Sequence, residues 1–308
     1  MKKDFISIAD WSTEEILQTF DLARELKEKQ KKGIPHPLLK GKTLAMVFQK
    51  PSNRTRVSFE VGMYQLGGHA LYLGPAEIGL GQRESVADVA RVLARYVDGI
   101  MARVFAHQHI VQLAEWASVP VINGLSDLLH PCQIMGDMLT IIEHRGSHEG
   151  VTVAYIGDGN NVCNSWINLA AKLPFKLNIA TPEGFEPNRE LLQAAQKAGI
   201  SEITLFRSPV EAVQHAEFVY TDVWASMGQE SEAEARKKVF APFQVNDDLL
   251  RHAGDSVKFM HCLPAHRGDE VTDEVMDGPN SIVFDQAENR LHIQKAILVR
   301  LMGDESST

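Results

Sequence analysis

Thr43-Leu44-Ala45-Met46-Val47-Phe48-Gln49-Lys50-Pro51-Ser52-Asn53-Arg54-Thr55-Arg56-Val57-Ser58-Phe59-Glu60 starts as a short apolar run and turns polar at Gln49. Such a run, stopped by a Pro/Ser/Asn cluster, reads as a buried strand. A helix follows over about 54–66 and is closed by Gly67-Gly68. A second short run covers 69–73, so strand, turn and helix lead back to a strand. That order is the start of a βαβ unit with a parallel sheet. Outward from this stretch the alternation continues. Before it lies a helix marked by the capping-box pair Ser12 and Glu15, with Ile16, Phe20, Ala23 and Leu26 at helical spacing. After it come a Gly-rich loop (74–82), a helix over 84–96, strands near 99–104 and 119–122, and a helix over 133–144.

Arg145-Gly146 and the polar residues to Gly150 suggest a hinge, after which a second series begins. Its expected strands cover 151–156, 176–180, 203–206, 218–221, 257–261 and 281–284, with helices such as 189–198 and 210–216 between them. A last helix is expected over 288–302. The fold class is therefore α/β: two doubly wound parallel-sheet domains joined by a hinge, the C-terminal helix packing back on the N-terminal domain. The expected domains are 1–145 together with 288–308, and 146–287. The 308 residues fit this division, because one hydrophobic core rarely serves so long a chain.

Composition excludes several classes. Apolar residues at 44% and charged residues at 23% are those of an ordinary globular protein, not a disordered or fibrous one. Thirty-one Lys plus Arg against 40 Asp plus Glu leave a net charge of −9, which disfavours a dedicated nucleic-acid binder. One basic cleft for a small anion remains compatible with that charge. No stretch approaches the ~18 consecutive apolar residues of a membrane span. Cys132, Cys163 and Cys262 form no disulfide framework, and no leader-length apolar run follows Met1-Lys2-Lys3. The expected compartment is the cytoplasm.

In open α/β sheets ligands bind beyond the carboxyl ends of the strands, so the residues after each strand are the candidates. Ser52, Asn53, Arg54 and Thr55 stand at a helix start, where unpaired N–H groups and the dipole attract an anion and Arg54 adds a guanidinium fork. A plain cap by Ser52 or Asn53 with solvated arginines is the alternative. Arg103 ends an apolar run, which is costly unless it is paired. His130 and Gln133 stand where a loop enters a helix. In the second half, Gly157-Asp158-Gly159-Asn160-Asn161 lacks the third glycine of a dinucleotide fingerprint, because Val162 holds that place. Asp222 ends one strand and precedes Ser226-Met227-Gly228; His261-Cys262-Leu263-Pro264 ends another. Read singly, Asp222 is a loop cap, Cys262 a packing residue and Asn160 and Asn161 turn residues. No Cys-x-x-Cys or His-Glu-x-x-His spacing is present, so no metal is expected.

Read together, Ser52-Asn53-Arg54-Thr55-Arg56 and His130-Pro131-Cys132-Gln133 resemble the Ser-Thr-Arg-Thr-Arg and His-Pro-x-Gln signatures of the aspartate/ornithine carbamoyltransferase superfamily. Asp222-x-x-x-Ser226-Met227-Gly228 and His261-Cys262-Leu263-Pro264 resemble its ornithine branch. Two positions depart from the family: Asn53 replaces a threonine, and Gly79 stands where many members carry a glutamine.

The resemblance implies carbamoyl transfer from carbamoyl phosphate to the δ-amine of L-ornithine without a cofactor. It implies Ser52, Asn53, Arg54, Thr55, Gln82, Arg103, His130, Gln133, Cys262, Leu263 and Arg290 as carbamoyl-phosphate residues, with Gln82 acting in a neighbouring subunit. It implies Asn161, Asp222, Ser226 and Met227 as ornithine residues, and Arg54, Arg103, His130, Asp222 and Cys262 as the catalytic set. It also implies a homo-oligomer, a trimer or a multiple of trimers, with no nucleic-acid or membrane partner. Putrescine or an N-acylated ornithine as the amine, a non-catalytic ligand-binding protein, and a zinc hydrolase are the competing readings.

Overall fold

The computed structural model of the chain describes residues 2–225 and 232–303, and these divide into two compact units, 2–136 with 288–303 and 137–287.

The first unit holds β1 (Thr43–Phe48), β2 (His69–Leu73), β3 (Gly99–Arg103) and β4 (Val121–Leu125). All pair in parallel, in the order β2-β1-β3-β4. The chain runs from β1 out to β2 and returns across β1 to β3. The strand order therefore reverses between β1 and β3, and their carboxyl ends open the crevice where a doubly wound sheet binds ligand. β1 is buried from Leu44 to Phe48, as a central strand covered on both faces must be, whereas β2 at the edge alternates between half-buried and exposed. The connecting helices are α1 (Thr13–Lys31), α2 (Asn53–Gln65), α3 (Pro75–Ile78), α4 (Val86–Leu93) and α5 (His107–Trp116). The capping box at Ser12 and Glu15 forms at the start of α1 as its sequence requires. α6 (Pro131–Arg145) starts in this unit.

The second unit holds β5 (Thr152–Ile156), β6 (Lys176–Ala180), β7 (Glu202–Phe206), β8 (Phe218–Thr221) and β9 (Lys258–His261), all parallel, in the order β7-β6-β5-β8-β9. Here the reversal falls between β5 and β8. Its helices are α7 (Asn161–Ala170), α8 (Arg189–Ala198), α9 (Pro209–Val213), α10 (Ala233–Phe240), α11 (Asp247–Ala253) and α12 (Asp273–Met276). α13 (Val283–Met302) closes the chain, and its residues from Glu288 onward belong to the first unit.

One expectation is corrected. Residues 281–284 are not a strand: Ser281 makes one isolated bridge to Phe259, and Val283 already starts α13. The three-residue apolar run Ile282-Val283-Phe284 cannot by itself distinguish a buried strand from a helix start. The compact units part at Gly136/Asp137, within α6. α6 runs unbroken through that point, and Asp137 accepts hydrogen bonds from Tyr220 Oη and Gln286 Nε2, both at 2.9 Å, within the second unit. A polar loop marks the end of a helix but not the place where its packing partners change. Among the described residues no helix is long and apolar enough to cross a membrane.

Candidate active site

In the first unit the candidate residues converge beyond β1, β3 and β4. Ser52 occupies the N-cap of α2 in extended conformation, yet its side chain makes no capping hydrogen bond. The plain-cap reading therefore fails, and the first turn of α2 keeps its N–H groups for something else. Thr55 is buried, and its hydroxyl accepts from Arg103 Nη1 and from Arg290 Nη2, both at 3.4 Å. Arg290 Nη1 also donates to Gln133 Oε1 at 2.5 Å. Two guanidiniums from distant parts of the chain thus meet on one hydroxyl at the start of α2. Asn53 is exposed and Arg54 half-buried in the same turn.

His130 is buried beside them. Burial, followed by the charges of Arg290, Arg103 and Arg54, holds its imidazole well below the usual histidine range. The ring is therefore neutral at pH 7, with one N–H to donate. Charged guanidiniums beside a neutral imidazole form a field suited to an anion with a polarised carbonyl.

Gln82 lies apart from this group, exposed in the loop after α3. The glycine at 79 has a local cause: its φ of +49° is left-handed, and a Cβ there would come within 2.8 Å of Arg83 Cβ. This loop geometry does not admit a glutamine at that position.

In the second unit the candidates gather beyond β5, β8 and β9. Asp222 is 6% exposed and held from three directions. Asn160 Nδ2 donates to Oδ2 at 2.7 Å, Cys262 Sγ donates to Oδ1 at 2.9 Å, and the Val223 N–H donates to Oδ1 at 2.8 Å. Burial and the Asp222 carboxylate push the Cys262 thiol well above its ordinary range, so it is a protonated donor and not a thiolate. Asn160 Oδ1 accepts from Tyr155 Oη and from the N–H groups of Val162 and Cys163, which caps α7.

Leu263, at φ +59°, donates its N–H to His261 Nδ1 at 2.8 Å. His261 Nε2 then carries the ring proton and meets Glu270 Oε1 at 3.1 Å. Two consequences follow. The Leu263 N–H is engaged by the His261 ring. Although ligand atoms of Asp222, His261 and Cys262 lie within 4.8 Å of one another, both nitrogens of His261 are engaged, which leaves that trio ill-suited to a metal ion.

The Gly157-Asp158-Gly159 turn is explained by packing. A Cβ at Gly159 would lie 2.2 Å from Pro187 N, so the glycine admits the backbone at 185–187. Asp158 pairs with the buried Arg236 at 3.0 Å, and burial raises its pKa to about 6.

Sequence reasoning chose Asn161, but it is the neighbouring Asn160 that touches Asp222. Asn161 is the first residue of α7, and its carbonyl accepts from Ser165 Oγ. The signal was present: Asn160 directly precedes the helix, the position at which an asparagine side chain turns inward to cap. Ser226 and Met227 lie outside the described residues.

Residues 3–143 match the carbamoyl-P binding domain of the aspartate/ornithine carbamoyltransferases, and residues 149–301 match the Asp/Orn binding domain. A relative from Pyrococcus horikoshii named ornithine carbamoyltransferase is 56% identical over 306 residues, covering 98% of this chain and 96% of its own. One of the same name from Archaeoglobus fulgidus is 56% identical over 304 residues, covering 99% of each. Among solved structures, ornithine carbamoyltransferase from Pyrococcus furiosus superposes with a TM-score of 0.93 at 54% identity, over 98% of this chain and 97% of that one. The enzyme of that name from Thermus thermophilus superposes with a TM-score of 0.89 at 45% identity, over 98% and 99%. The two parallel-sheet units, the arginines gathered at the start of α2, and these matches across both halves lead to one assignment: the chain belongs to the aspartate/ornithine carbamoyltransferase family.

Proposed function

We propose that this chain transfers the carbamoyl group of carbamoyl phosphate to the δ-amine of L-ornithine, giving L-citrulline and phosphate. The observation that carries this reading is the meeting of Arg103 and Arg290 on Thr55 beside the neutral His130, in the half that matches the carbamoyl-P domain. The phosphate group takes the N-terminal turn of α2, with Ser52, Asn53, Arg54 and Thr55. The charge that develops on departure of phosphate is offset by the helix end and by Arg54. Arg103 and His130 polarise the carbamoyl oxygen, His130 as a neutral donor. Gln133 acts through Arg290, whose fork it holds. Gln82 reaches the phosphate of a neighbouring subunit.

Ornithine's charged α-amino group pairs with Asp222, the carboxylate that Asn160 and Cys262 orient. Asn161, Ser226 and Met227 complete the amino-acid site. Cys262 contacts the δ-amine as a neutral thiol, a role that suits holding the nucleophile more than deprotonating it. A free alkyl ammonium has a pKa of about 10.4, so the attacking neutral amine is scarce at pH 7 and the rate rises on the alkaline side. The transfer is direct: the amine nitrogen bonds to the carbamoyl carbon, the C–O bond to phosphate breaks, and the nitrogen gives up its proton. No cofactor takes part.

A homotrimer, or a multiple of trimers, is supported by the apolar stripe Val57, Val61 and Tyr64 on α2, exposed by 53%, 36% and 81%. A cytoplasmic, biosynthetic role is supported by the sparse cysteines and by the Pyrococcus furiosus relative named anabolic.

The test is citrulline formation by purified protein given carbamoyl phosphate with L-ornithine, putrescine or N-acetylornithine in turn. Turnover with ornithine alone, lost by a factor of about 10² or more in Arg54→Ala, is expected. Preference for either other amine would overturn the ornithine assignment, and no ureido product with any amine would overturn the reaction.

A further inference from the structure

α2 and α13 lie side by side in the first unit; a Cβ at Gly62 would stand 3.3 Å from Lys295 Cγ. One turn before Gly62 is Ser58, and one turn after Arg290 is Gln294. Gln294 is fully buried. With its amide oriented so that both ends are matched, Nε2 donates to Ser58 Oγ at 2.5 Å, and Oε1 accepts from Arg290 Nη2 at 2.9 Å and Nε at 3.1 Å. Ser58 Oγ in turn donates to the Arg54 carbonyl at 2.7 Å. Each atom has one consistent role: the serine hydroxyl accepts from Gln294 and donates to Arg54.

We infer that Gln294 is a positioning residue for carbamoyl-phosphate binding, acting through Arg290; the inference rests on the functional reading above. An arginine side chain has several rotatable bonds, and its guanidinium is useful to an anion only when its orientation is fixed. Gln294 holds the Nε/Nη2 edge, Thr55 accepts from the same Nη2, and Gln133 holds Nη1. It does so with an amide dipole, so the holding itself does not cancel the guanidinium's positive charge. Through Ser58 the same amide is fastened to the first turn of α2, where Arg54 starts. The arginine at 290 and the helix end at 53–55 are thereby kept in register by one side chain belonging to neither. A glutamine four residues after an arginine on a helix would otherwise be read as an exposed polar position.

The experiment uses full-length Gln294→Met, Ser58→Ala, Arg290→Met and the double variant Arg290→Met/Gln294→Met. It measures kcat, KM for each substrate, and the Kd of inorganic phosphate by calorimetry. Gln294→Met keeps the volume and removes the hydrogen bonds. A rise of about tenfold or more in carbamoyl-phosphate KM and in phosphate Kd is expected, with ornithine KM within about twofold. In the Arg290→Met background the second substitution should change neither quantity, because the effect passes through the arginine. Ser58→Ala should give a smaller shift in the same two quantities, and it tests the proposal should Gln294→Met fail to fold.

Unchanged carbamoyl-phosphate KM and phosphate Kd in the folded variants would overturn the proposal. So would an undiminished effect of Gln294→Met when Arg290 is already replaced. Phosphate titration needs no turnover, so a wild type that forms no citrulline would sink the functional reading while the calorimetry still judges Gln294.

Discussion

Asp222 is a carboxylate taken out of water and held by three donors, and the identity of those donors decides what it can bind. Asn160 Nδ2 lies 2.7 Å from Oδ2, while the same side chain's oxygen caps α7. Asn160→Asp preserves the capping oxygen but places a second carboxylate against Asp222. The expected outcome is ornithine KM raised about tenfold or more with carbamoyl-phosphate KM unchanged, read from initial rates. Equal effects on both constants would show that Asn160 is structural only. Cys262→Ala removes the thiol donor and should raise ornithine KM and lower kcat, whereas Cys262→Ser keeps a donor and should lie closer to wild type.

His130 gives a prediction about pH. Its folded pKa is held well below 6.5 by burial and by Arg290, Arg103 and Arg54. The ring therefore stays neutral through pH 6.5, and carbamoyl-phosphate KM should be flat from pH 8 to 6. A break near 6.5 that His130→Gln abolishes would contradict the neutral-donor role. At this scale the sequence disclosed residue types and strand ends but not orientation. Asn160 and Asn161 cannot be told apart without the cap geometry, and Gln294 announces nothing until Arg290 and Ser58 are seen on either side of it.

Among the elements, α2 and α13 carry the most consequence. Lys295 on α13 is fully buried and donates to Gln65 Oε1 at 2.9 Å, with His36 Nε2 3.0 Å away. Burial lowers its pKa from 10.5 to about 8. Between those values the unfolded chain binds the proton and the folded chain does not, so stability rises with pH over that window. Below pH 8 both states are protonated and the cost of the buried charge is fully present. The expected outcome is that thermal unfolding of wild type relative to Lys295→Met shows this rise from pH 8 to 10, and that the difference is constant below pH 7. A difference independent of pH would show that the fold leaves the Lys295 pKa unshifted.

Most elements were legible because apolar runs of strand length alternate with capped helical patterns: β1, β6 and α8 fall where periodicity and the flanking Gly, Pro and Asn residues place them. α13 was misread at its start. Ile282-Val283-Phe284 supplies the apolar density of a strand, and only packing in three dimensions shows it to be a helical first turn with Phe284 outward, 68% exposed.

For the whole molecule, a two-unit α/β chain was readable from length and from two strand series. The boundary passes through the middle of α6, where no residue type marks it. The exposed stripe on α2 predicts assembly. Tyr64→Asp with Val61→Asp should lower the mass in sedimentation equilibrium toward that of a single chain, with each chain still folded. A wild type that is already monomeric would remove the basis for a role of Gln82 in a neighbouring site.

The reaction itself requires that the carbamoyl carbon of carbamoyl phosphate bond to the δ-amine of ornithine. The most direct measurement is nuclear magnetic resonance of products from carbamoyl phosphate labelled with ¹³C at the carbonyl and ornithine labelled with ¹⁵N at the δ position. A ureido carbon coupled to the δ nitrogen, formed in equal amount with phosphate, is predicted. Release of the labelled carbon as bicarbonate or carbamate, with no carbon–nitrogen coupling, would contradict the account.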